Sequence, residues 1–296
     1  MLSSREHYIS KYKKHFNLKC PEVLQTLPEE HLIELLAGCE GWIVGDDPVS
    51  EKVLKSAKEL KVVIKWGVGT DNIDFNAAKK YRVYICNTPN MFGNEVSDVA
   101  LSYLLMITRK LHIINSEVKK GNWLKIQGKS LSNKVAGVVG LGDIGSNLIK
   151  KLNVLGMNVI GFDPNVEYMD NIEIKKWPEY LGLCDFIFFT CPLNKKTRHM
   201  FSEKELKISK NKVSIINVSR GGIIDEKSII NGLKSGKVDF FASDVFEQEP
   251  LSKENYLAKS DKVIVGSHNA SNTLEAVLDT NIKTLELIKE YFEKEY

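Results

Sequence analysis

The chain has 296 residues, which at about 150 residues per domain predicts about two domains and excludes a small scaffold held together by disulfides. Hydrophobic residues make up 43% and charged residues 27%, so a disordered chain is not expected. The 41 Lys and Arg against 38 Asp and Glu leave a formal charge of +3, which is too small to indicate a nucleic-acid or membrane partner. No segment reads as a signal peptide or a membrane span, so we expect a cytosolic protein that acts on small molecules.

Five cysteines, an odd number, are spread along the chain without a C-x-x-C pair. They are Cys20, Cys39, Cys86, Cys184 and Cys191. This spacing fits neither a disulfide framework nor a zinc site. We therefore predict reduced, partly buried thiols and no metal.

Short β-branched runs alternate with segments of helical length, a pattern typical of parallel βαβ units. In the first third we predict strands at Trp42–Val44, Val62–Lys65 and Val83–Cys86. A helix from Ser50 to Leu60 begins with Ser50 as its N-cap. The mostly apolar segment Glu95–Ile114 contains three charged residues, so we predict one buried crossover helix rather than a membrane span.

A second series of apolar runs predicts six more strands, the number in a full dinucleotide-binding sheet. They are Lys134–Val139, Asn158–Phe162, Phe186–Thr190, Val213–Val218, Phe240–Asp244 and Val263–Val265. The last segment begins at Asn272, with Glu275 placed as in a capping box, and its apolar spacing predicts an amphipathic helix that packs on the first domain. The fold class is α/β.

The most specific motif is the glycine run Gly140-Leu-Gly142-Asp143-Ile144-Gly145, which follows an apolar strand and precedes a predicted helix. In that context the glycines allow a tight turn and a close approach of the backbone to a pyrophosphate at the helix N-terminus. Asp163 ends the next strand, 21 residues after Gly142, where a carboxylate can accept both ribose hydroxyls. Asp163 would repel a 2′-phosphate and no Arg follows it, so NAD is favoured over NADP.

A weaker echo of this motif occurs earlier, at Gly67-Val68-Gly69. The position of the third glycine is occupied by Asn72, so this loop lacks the close helix approach of a dinucleotide site. Its backbone N–H groups could hold a smaller anion, such as one carboxylate.

Three polar residues follow late strands, at the end where doubly wound sheets bind ligands. Arg220 can clamp a carboxylate and polarise a neighbouring carbonyl. Glu249 and His268 can form an acid/base pair, in which the carboxylate fixes the imidazole tautomer. The other five histidines are expected to be structural; they are His7, His15, His31, His112 and His199.

Together these motifs resemble the D-isomer-specific 2-hydroxyacid dehydrogenases. The resemblance covers about Glu40 to Ala276. It runs through WGVGTDNID at 66–74, NTP at 87–89, GLGDIG at 140–145, NVSRGGIIDE at 217–226, DVFEQEP at 244–250 and SHNASNTLEA at 267–276. The order and spacing of six motifs make it highly specific.

The resemblance implies a role for each candidate residue. Arg220 would bind the substrate's carboxylate and carbonyl, and Glu249 would orient His268, the acid/base. Asp244 and Pro192 would contact NAD, Asp244 at the nicotinamide carboxamide. The Gly67–Gly69 loop, with Val68 at its centre, would clamp the substrate carboxylate. The implied reaction is hydride transfer between NAD(H) and a D-2-hydroxyacid/2-ketoacid pair.

The resemblance also implies two doubly wound parallel-sheet domains. A Rossmann NAD domain, residues 94–271, would be inserted into a flavodoxin-like substrate domain formed by residues 1–93 and 272–296, with a cleft that closes by hinge motion. A homodimer would form through the NAD domain. Family members usually begin with a short strand, but here only Met1–Ser4 precede the first expected helix. The first strand of the substrate domain is therefore predicted to be missing.

Several positions depart from the family pattern. Phe92 stands where many members have a substrate-binding Asn, Ser267 replaces a Pro, and Ala270-Ser271 replace a Gly pair. In phosphoglycerate enzymes an Arg near Gly45-Asp46-Asp47 helps to bind phosphate; here the acids would repel a dianionic substrate, unless Lys65 compensates. Two alternatives stay open. One is an NAD(H)-sensing regulator without turnover. The other is a formate or phosphite dehydrogenase, enzymes that share this scaffold; Glu249 disfavours the formate enzymes, which usually have Gln at this position.

Overall fold

The computed structural model describes residues 12, 15–21 and 26–294. The described elements, in chain order, are α1 (Glu29–Leu36), β1 (Gly41–Val44), α2 (Glu51–Ser56), β2 (Val62–Lys65), α3 (Phe75–Tyr81), β3 (Tyr84–Asn87), α4 (Gly93–Arg109), α5 (Leu111–Lys119), β4 (Val135–Val139), α6 (Asp143–Val154), β5 (Asn158–Phe162), β6 (Glu173–Ile174), β7 (Phe186–Phe189), α7 (Glu203–Ile208), β8 (Val213–Asn217), α8 (Glu226–Ser235), β9 (Val238–Ser243), α9 (Tyr256–Lys259), β10 (Val263–Val265) and α10 (Leu274–Lys294). The α/β class with parallel sheets is confirmed.

The chain divides into two compact units. The first unit comprises Met1–Met91 and Asn272–Tyr296, and the second unit comprises Phe92–Ser271. Their assignment as a substrate domain and an NAD domain stays a prediction at this point.

The first unit contains a three-stranded parallel sheet in the order β1-β2-β3. All four residues of the central strand β2 are buried, as expected for a strand that is covered on both faces. One face packs on α1, α2 and α3. On the other face Ile288 of α10 packs against Val62 and Ile64, so the C-terminal helix lies where its apolar spacing predicted.

Local signals set the helix ends of the first unit. The Ser50 side chain accepts a hydrogen bond from the Val53 N–H and caps α2, as predicted, although α2 already ends at Ser56. The predicted start of α10 at Asn272 is off by one residue: the Thr273 hydroxyl accepts the Ala276 N–H and caps the helix. The predicted lack of a first strand concerns Met1–Ser4, which lie outside the described residues.

The second unit contains a seven-stranded sheet in the order β10-β9-β8-β7-β4-β5-β6, and all neighbouring strands are parallel. Each of the six predicted strands occurs here. The seventh, β6, was not predicted: it is two residues long and pairs Glu173 and Ile174 with Ile160 and Gly161. The chain leaves β4 toward β5 on one side and β7 lies on the other, so a topological switch point lies beside β4.

The predicted single helix over Glu95–Ile114 is wrong. The segment forms two helices, α4 and α5, separated by Lys110 in the left-handed conformation with φ of 56°. The carbonyl of Thr108 accepts the backbone N–H of Lys129 instead of continuing the helix. The Lys110 ammonium lies 3.3 Å from the centre of the Phe240 ring. Contacts far away in sequence therefore fix the break.

All five cysteines are free thiols. Burial raises the pKa of Cys184 and Cys191 to about 12, so both remain protonated at neutral pH. Cys20 is exposed, contrary to the expectation of burial. Within the described part of the chain, no helix combines the length and the apolar character that a bilayer crossing requires.

Candidate functional site

Six loops of the second unit begin at the carboxyl ends of its parallel strands and so lie along one edge of the sheet. The glycine run follows β4, Asp163 follows β5 and Pro192 follows β7. Arg220, Glu249 and His268 follow β8, β9 and β10, which are neighbours in the sheet. The residues that the sequence singled out in this unit are therefore collected at the edge where open α/β sheets bind ligands.

The glycine run folds as its spacing requires. Gly140 has φ of 94°, which a residue with a side chain rarely adopts. A Cβ on Gly145 would lie closer than 3.0 Å to the Gly140 carbonyl oxygen, so only glycine lets α6 approach the turn. Gly142 caps α6, and a Cβ there would meet no atom within 4 Å. The turn thus presents open space at a helix N-terminus, where a pyrophosphate fits.

The end of β5 is tied to this turn. One oxygen of Asp163 accepts the Leu141 N–H at 2.9 Å, and the other accepts the Asn165 N–H at 2.9 Å. On the other side the Thr190 hydroxyl donates to the Gly140 carbonyl at 2.7 Å. The acid is thereby fixed beside the glycine run.

Pro192 lies next to the glycine run through its neighbour Cys191. A Cβ on Gly140 would lie closer than 3.0 Å to the Cys191 backbone, so the two loops are in direct contact. The Pro192 carbonyl accepts the Thr197 hydroxyl at 2.7 Å, which fixes the start of this loop.

A side-chain amide shapes the turn that carries Arg220. Asn217 accepts hydrogen bonds from the Ser219 N–H and hydroxyl, and its amide donates to the Arg220 carbonyl at 3.0 Å. The guanidinium donates to the Ser219 carbonyl at 2.8 Å and is half-buried. This arrangement orients a cation at the sheet edge.

Gly221 joins the Arg220 turn to the loop after β9. A Cβ on Gly221 would overlap the backbone of Phe246 and Glu247, so this close approach requires glycine. The Phe246 N–H in turn donates to Glu249 at 2.8 Å. The loops bearing Arg220 and Glu249 are therefore packed backbone to backbone.

Glu249 and His268 are in direct contact. The second carboxylate oxygen of Glu249 lies 2.7 Å from His268 Nδ1, and both side chains are mostly buried. A carboxylate at this distance favours the tautomer with a proton on Nδ1 and stabilises the imidazolium form. The Nε2 atom lies on the opposite side of the ring and is the nitrogen that can exchange a proton with a substrate.

Asp244 is a buried carboxylate, 3% exposed, at the end of β9. Its oxygens accept the N–H groups of Asn269 at 3.1 Å and Ala270 at 2.8 Å. The family resemblance implies that Asp244 contacts the cofactor; in the structure it also bonds to the loop after His268.

In the first unit, the Gly67–Gly69 loop follows β2. Gly67 has φ of 129° and its N–H donates to the Thr88 hydroxyl at 2.9 Å, while Asn87 donates to the Val68 carbonyl at 2.9 Å. The predicted clamp for a carboxylate would therefore rest on the N–H groups of Val68 and Gly69.

Among the described residues, one group of three potential metal ligands occurs: His199, Asp225 and Glu247, whose donor atoms lie within 4.8 Å of one another. His199 and Glu247 form an ion pair at 2.8 Å, and Asp225 is the N-cap of α8 and accepts the Ser228 hydroxyl. Two of the three are exposed. These contacts explain the group without an ion, and the prediction of no metal stays a prediction.

The sequence analysis did not identify the residues that hold the site loops in position. Asn217, Gly221 and Gly266 act through backbone geometry, and Tyr103 lies in an apolar helix where a tyrosine resembles any core residue. Asn217 and Gly221 stand within the motif that contains Arg220, so that motif could have pointed to them. Nothing in the sequence marks Tyr103.

A parallel doubly wound sheet, with a glycine turn after one strand and an acid after the next, defines a dinucleotide-binding protein. Residues 101–270 match the family described as "D-isomer specific 2-hydroxyacid dehydrogenase, NAD binding domain". The chain belongs to this family, and its second unit contains the NAD-binding domain.

Named relatives fit this assignment. The chain is 35% identical over 263 residues to a D-3-phosphoglycerate dehydrogenase of Methanocaldococcus jannaschii, covering 86% of this chain and 50% of that protein. It is 35% identical over 243 residues to a glyoxylate reductase of Thermococcus litoralis, covering 78% of this chain and 73% of the relative. The crystal structure of a glyoxylate reductase from Paecilomyes thermophila is similar, with a TM-score of 0.88 at 26% identity, covering 98% and 92% of the two chains. The chain spans about half the length of the phosphoglycerate dehydrogenases.

Proposed function

We propose that the protein is an NAD-dependent D-2-hydroxyacid dehydrogenase, acting as a reductase of 2-ketoacids. The observation that carries the proposal is the contact of Glu249 with His268 beside the Arg220 turn, on the sheet edge that also holds the glycine run. The named relatives are dehydrogenases and reductases, which favours turnover over a purely sensory role.

Each residue would have one task. Arg220 would bind the substrate carboxylate and polarise the keto oxygen. Its positive charge would stabilise the transition state most, because negative charge develops on that oxygen there. His268 would deliver a proton from Nε2 to the same oxygen. Glu249 would hold the ring in place and stabilise its charged form. NADH, when bound, supplies the hydride.

The residues around the glycine run fit an NAD molecule. Gly142 leaves open space for a pyrophosphate at the N-terminus of α6, and Gly145 lets that helix approach the turn at Gly140. Asp163 offers a carboxylate where the ribose would lie, which supports NADH as the better cofactor because a 2′-phosphate would be repelled.

We propose a small monocarboxylic ketoacid as substrate. Lys65, whose side chain is 2% exposed, is paired with Asp46 at 3.1 Å, and Asp47 binds the Leu27 N–H. Because the buried cation Lys65 is matched by Asp46, the carboxyl end of β1 retains the negative charge of Asp47. A second, phosphate charge on the substrate would be repelled there.

The proposal predicts turnover in a panel of ketoacids, measured as loss of NADH absorbance. We expect at least one of glyoxylate, pyruvate and hydroxypyruvate to be reduced faster than 3-phosphohydroxypyruvate. We also expect NADH to give faster turnover than NADPH. Tight NADH binding with no turnover of any acid would contradict the enzyme and support an NAD(H) sensor.

We also propose a cytoplasmic location and a homodimer formed through the second unit. Four large apolar side chains on and after α5 are exposed: Leu111, Val118, Trp123 and Leu124. Trp123 is 80% exposed, which is costly in water unless it is covered. A second copy of the same segment is a partner of matching apolar character.

Replacing Trp123 with aspartate is therefore expected to convert the dimer to a monomer in sedimentation velocity. Val154→Asp is the matched control, because Val154 is also highly exposed but lies on α6, outside this segment. A wild-type monomer, or a Trp123→Asp dimer of unchanged stability, would contradict the proposed interface.

A further inference from the structure

The loop that carries His268 forms three backbone hydrogen bonds to one residue, Asp244. The Asp244 carbonyl accepts the His268 N–H at 2.7 Å, and its carboxylate accepts the next two N–H groups, those of Asn269 and Ala270. Three successive backbone donors therefore end on a single aspartate. The position of the His268 backbone depends on where this carboxylate lies.

The loop needs such restraint. His268 has φ of 54°, in the left-handed region that residues other than glycine seldom adopt. Conformations of this kind persist where surrounding contacts fix them, and they are frequent at functional sites. The bonds to Asp244 contribute to this restraint, so we expect that weakening them would loosen the loop and displace the imidazole.

The hydroxyl of Tyr103, on α4, lies beside the same carboxylate. Tyr103 is 8% exposed, so its hydroxyl has little access to water. Burial, aided by the negative charge of Asp244, raises the pKa of Tyr103. The phenol therefore remains protonated at neutral pH, and its O–H can donate to this carboxylate.

Gly266 leaves the space in which the two side chains meet. A Cβ at this position would lie closer than 3.0 Å to both Asp244 Oδ1 and Tyr103 Oη. The Gly266 N–H is itself fixed to the Ser243 carbonyl at 2.8 Å. Because only glycine fits, the backbone at 266 accommodates the approach of the Tyr103 hydroxyl to Asp244.

We infer that Tyr103 is a positioning residue for the proposed reaction. By donating to Asp244 it fixes the carboxylate that holds the His268 loop, and it thereby sets the geometry of proton transfer. Tyr103 itself touches neither substrate nor reacting atoms in this scheme. The inference rests on the proposed function only for the measurement of turnover. The restraint of the loop can be measured by amide exchange whether or not the protein is an enzyme.

The test is Tyr103→Phe in the full-length protein, which keeps the ring and removes only the hydroxyl. Tyr81→Phe is the matched control, because the Tyr81 hydroxyl also donates to a carboxylate, that of Glu51, but in the first unit. We expect amide exchange at Asn269 and Ala270 to rise about fivefold or more in Tyr103→Phe, since one bond to their acceptor is lost. In Tyr103→Phe, amide exchange outside this loop should stay at the wild-type level. In Tyr81→Phe, amide exchange throughout the second unit should stay at the wild-type level.

With a ketoacid that the wild type reduces, Tyr103→Phe should lower kcat by about fivefold while KM and the NADH dissociation constant change less than about twofold. A merely structural role would raise exchange across β9 and β10, lower the melting temperature and change KM together with kcat. Either that result or unchanged exchange and kcat would overturn the inference.

A second variant tests the route through Asp244. In an Asp244→Asn background, adding Tyr103→Phe should have little further effect on exchange at Asn269 and Ala270, whereas additive effects would overturn the inference. If the wild type reduces no ketoacid, the proposed function fails, but both exchange comparisons still decide the role of Tyr103.

Discussion

Replacing His268 with alanine is expected to lower kcat for ketoacid reduction by about a hundredfold to ten-thousandfold, the range that a positioned general acid contributes. The physical reason is the loss of the proton donor to the oxygen that becomes an alkoxide. The glycine run and Asp163 follow β4 and β5, whereas His268 follows β10 at the other end of the sheet, so the NADH dissociation constant should change less than about twofold. The measurements are steady-state kinetics and fluorescence titration with NADH.

Two further variants make this prediction specific. Glu249→Gln keeps an acceptor for Nδ1 but removes the charge that stabilises the imidazolium, so we expect a smaller loss than for His268→Ala. His31→Ala, which removes an exposed histidine from α1, should behave as the wild type. Near-normal kcat in His268→Ala would remove the assignment of His268 as the acid.

The strands and the ends of the site loops were predictable because their signals are local. β-branched runs such as Val213–Asn217 favour buried strands, and the carboxyl ends of parallel strands necessarily share one edge. The approach of Glu249 to His268 could therefore be anticipated from neighbouring late strands. Helix caps were predicted less well: Ser50 was correct, whereas the cap of α10 was misplaced by one residue.

What the sequence could not indicate depends on contacts between distant segments. The break at Lys110 is fixed by Phe240 and Lys129, which are not its neighbours in the chain. The strand β6 exists because β5 offers an unpaired edge to two residues with no strand signal of their own. Tyr103 differs from a core residue only through one hydroxyl that meets Asp244.

The glycines illustrate the same division. Gly140 and Gly145 stand in a motif whose spacing already indicates a tight turn before a helix. Gly221 belongs to the motif that contains Arg220, and Gly266 belongs to no motif. For both glycines, the close contact that excludes a side chain is visible only in the backbone and side chains that face them. Motif spacing thus predicts contacts within one turn, while close approaches between loops require the fold.

Replacing Arg220 with alanine is expected to lower kcat/KM by about a thousandfold or more, because the variant loses both a carboxylate clamp and a donor to the developing oxyanion. Both effects should be visible separately. KM for the ketoacid should rise because the ground-state carboxylate loses its partner, and kcat should fall because the oxyanion loses its stabilisation. The Asn217 side chain, which shapes the turn, remains in place in this variant.

Arg220→Lys separates charge from geometry. An ammonium keeps the positive charge but cannot form two parallel bonds to a carboxylate, so we expect activity between those of the wild type and Arg220→Ala. Added guanidinium should restore part of the activity of Arg220→Ala and none of His268→Ala, because it supplies only the missing cation. Arg198→Ala, an exposed arginine on the loop after β7, is the matched control and should retain wild-type kinetics. Wild-type kcat/KM in Arg220→Ala would show that another cation binds the substrate carboxylate and would remove Arg220 from the proposed mechanism.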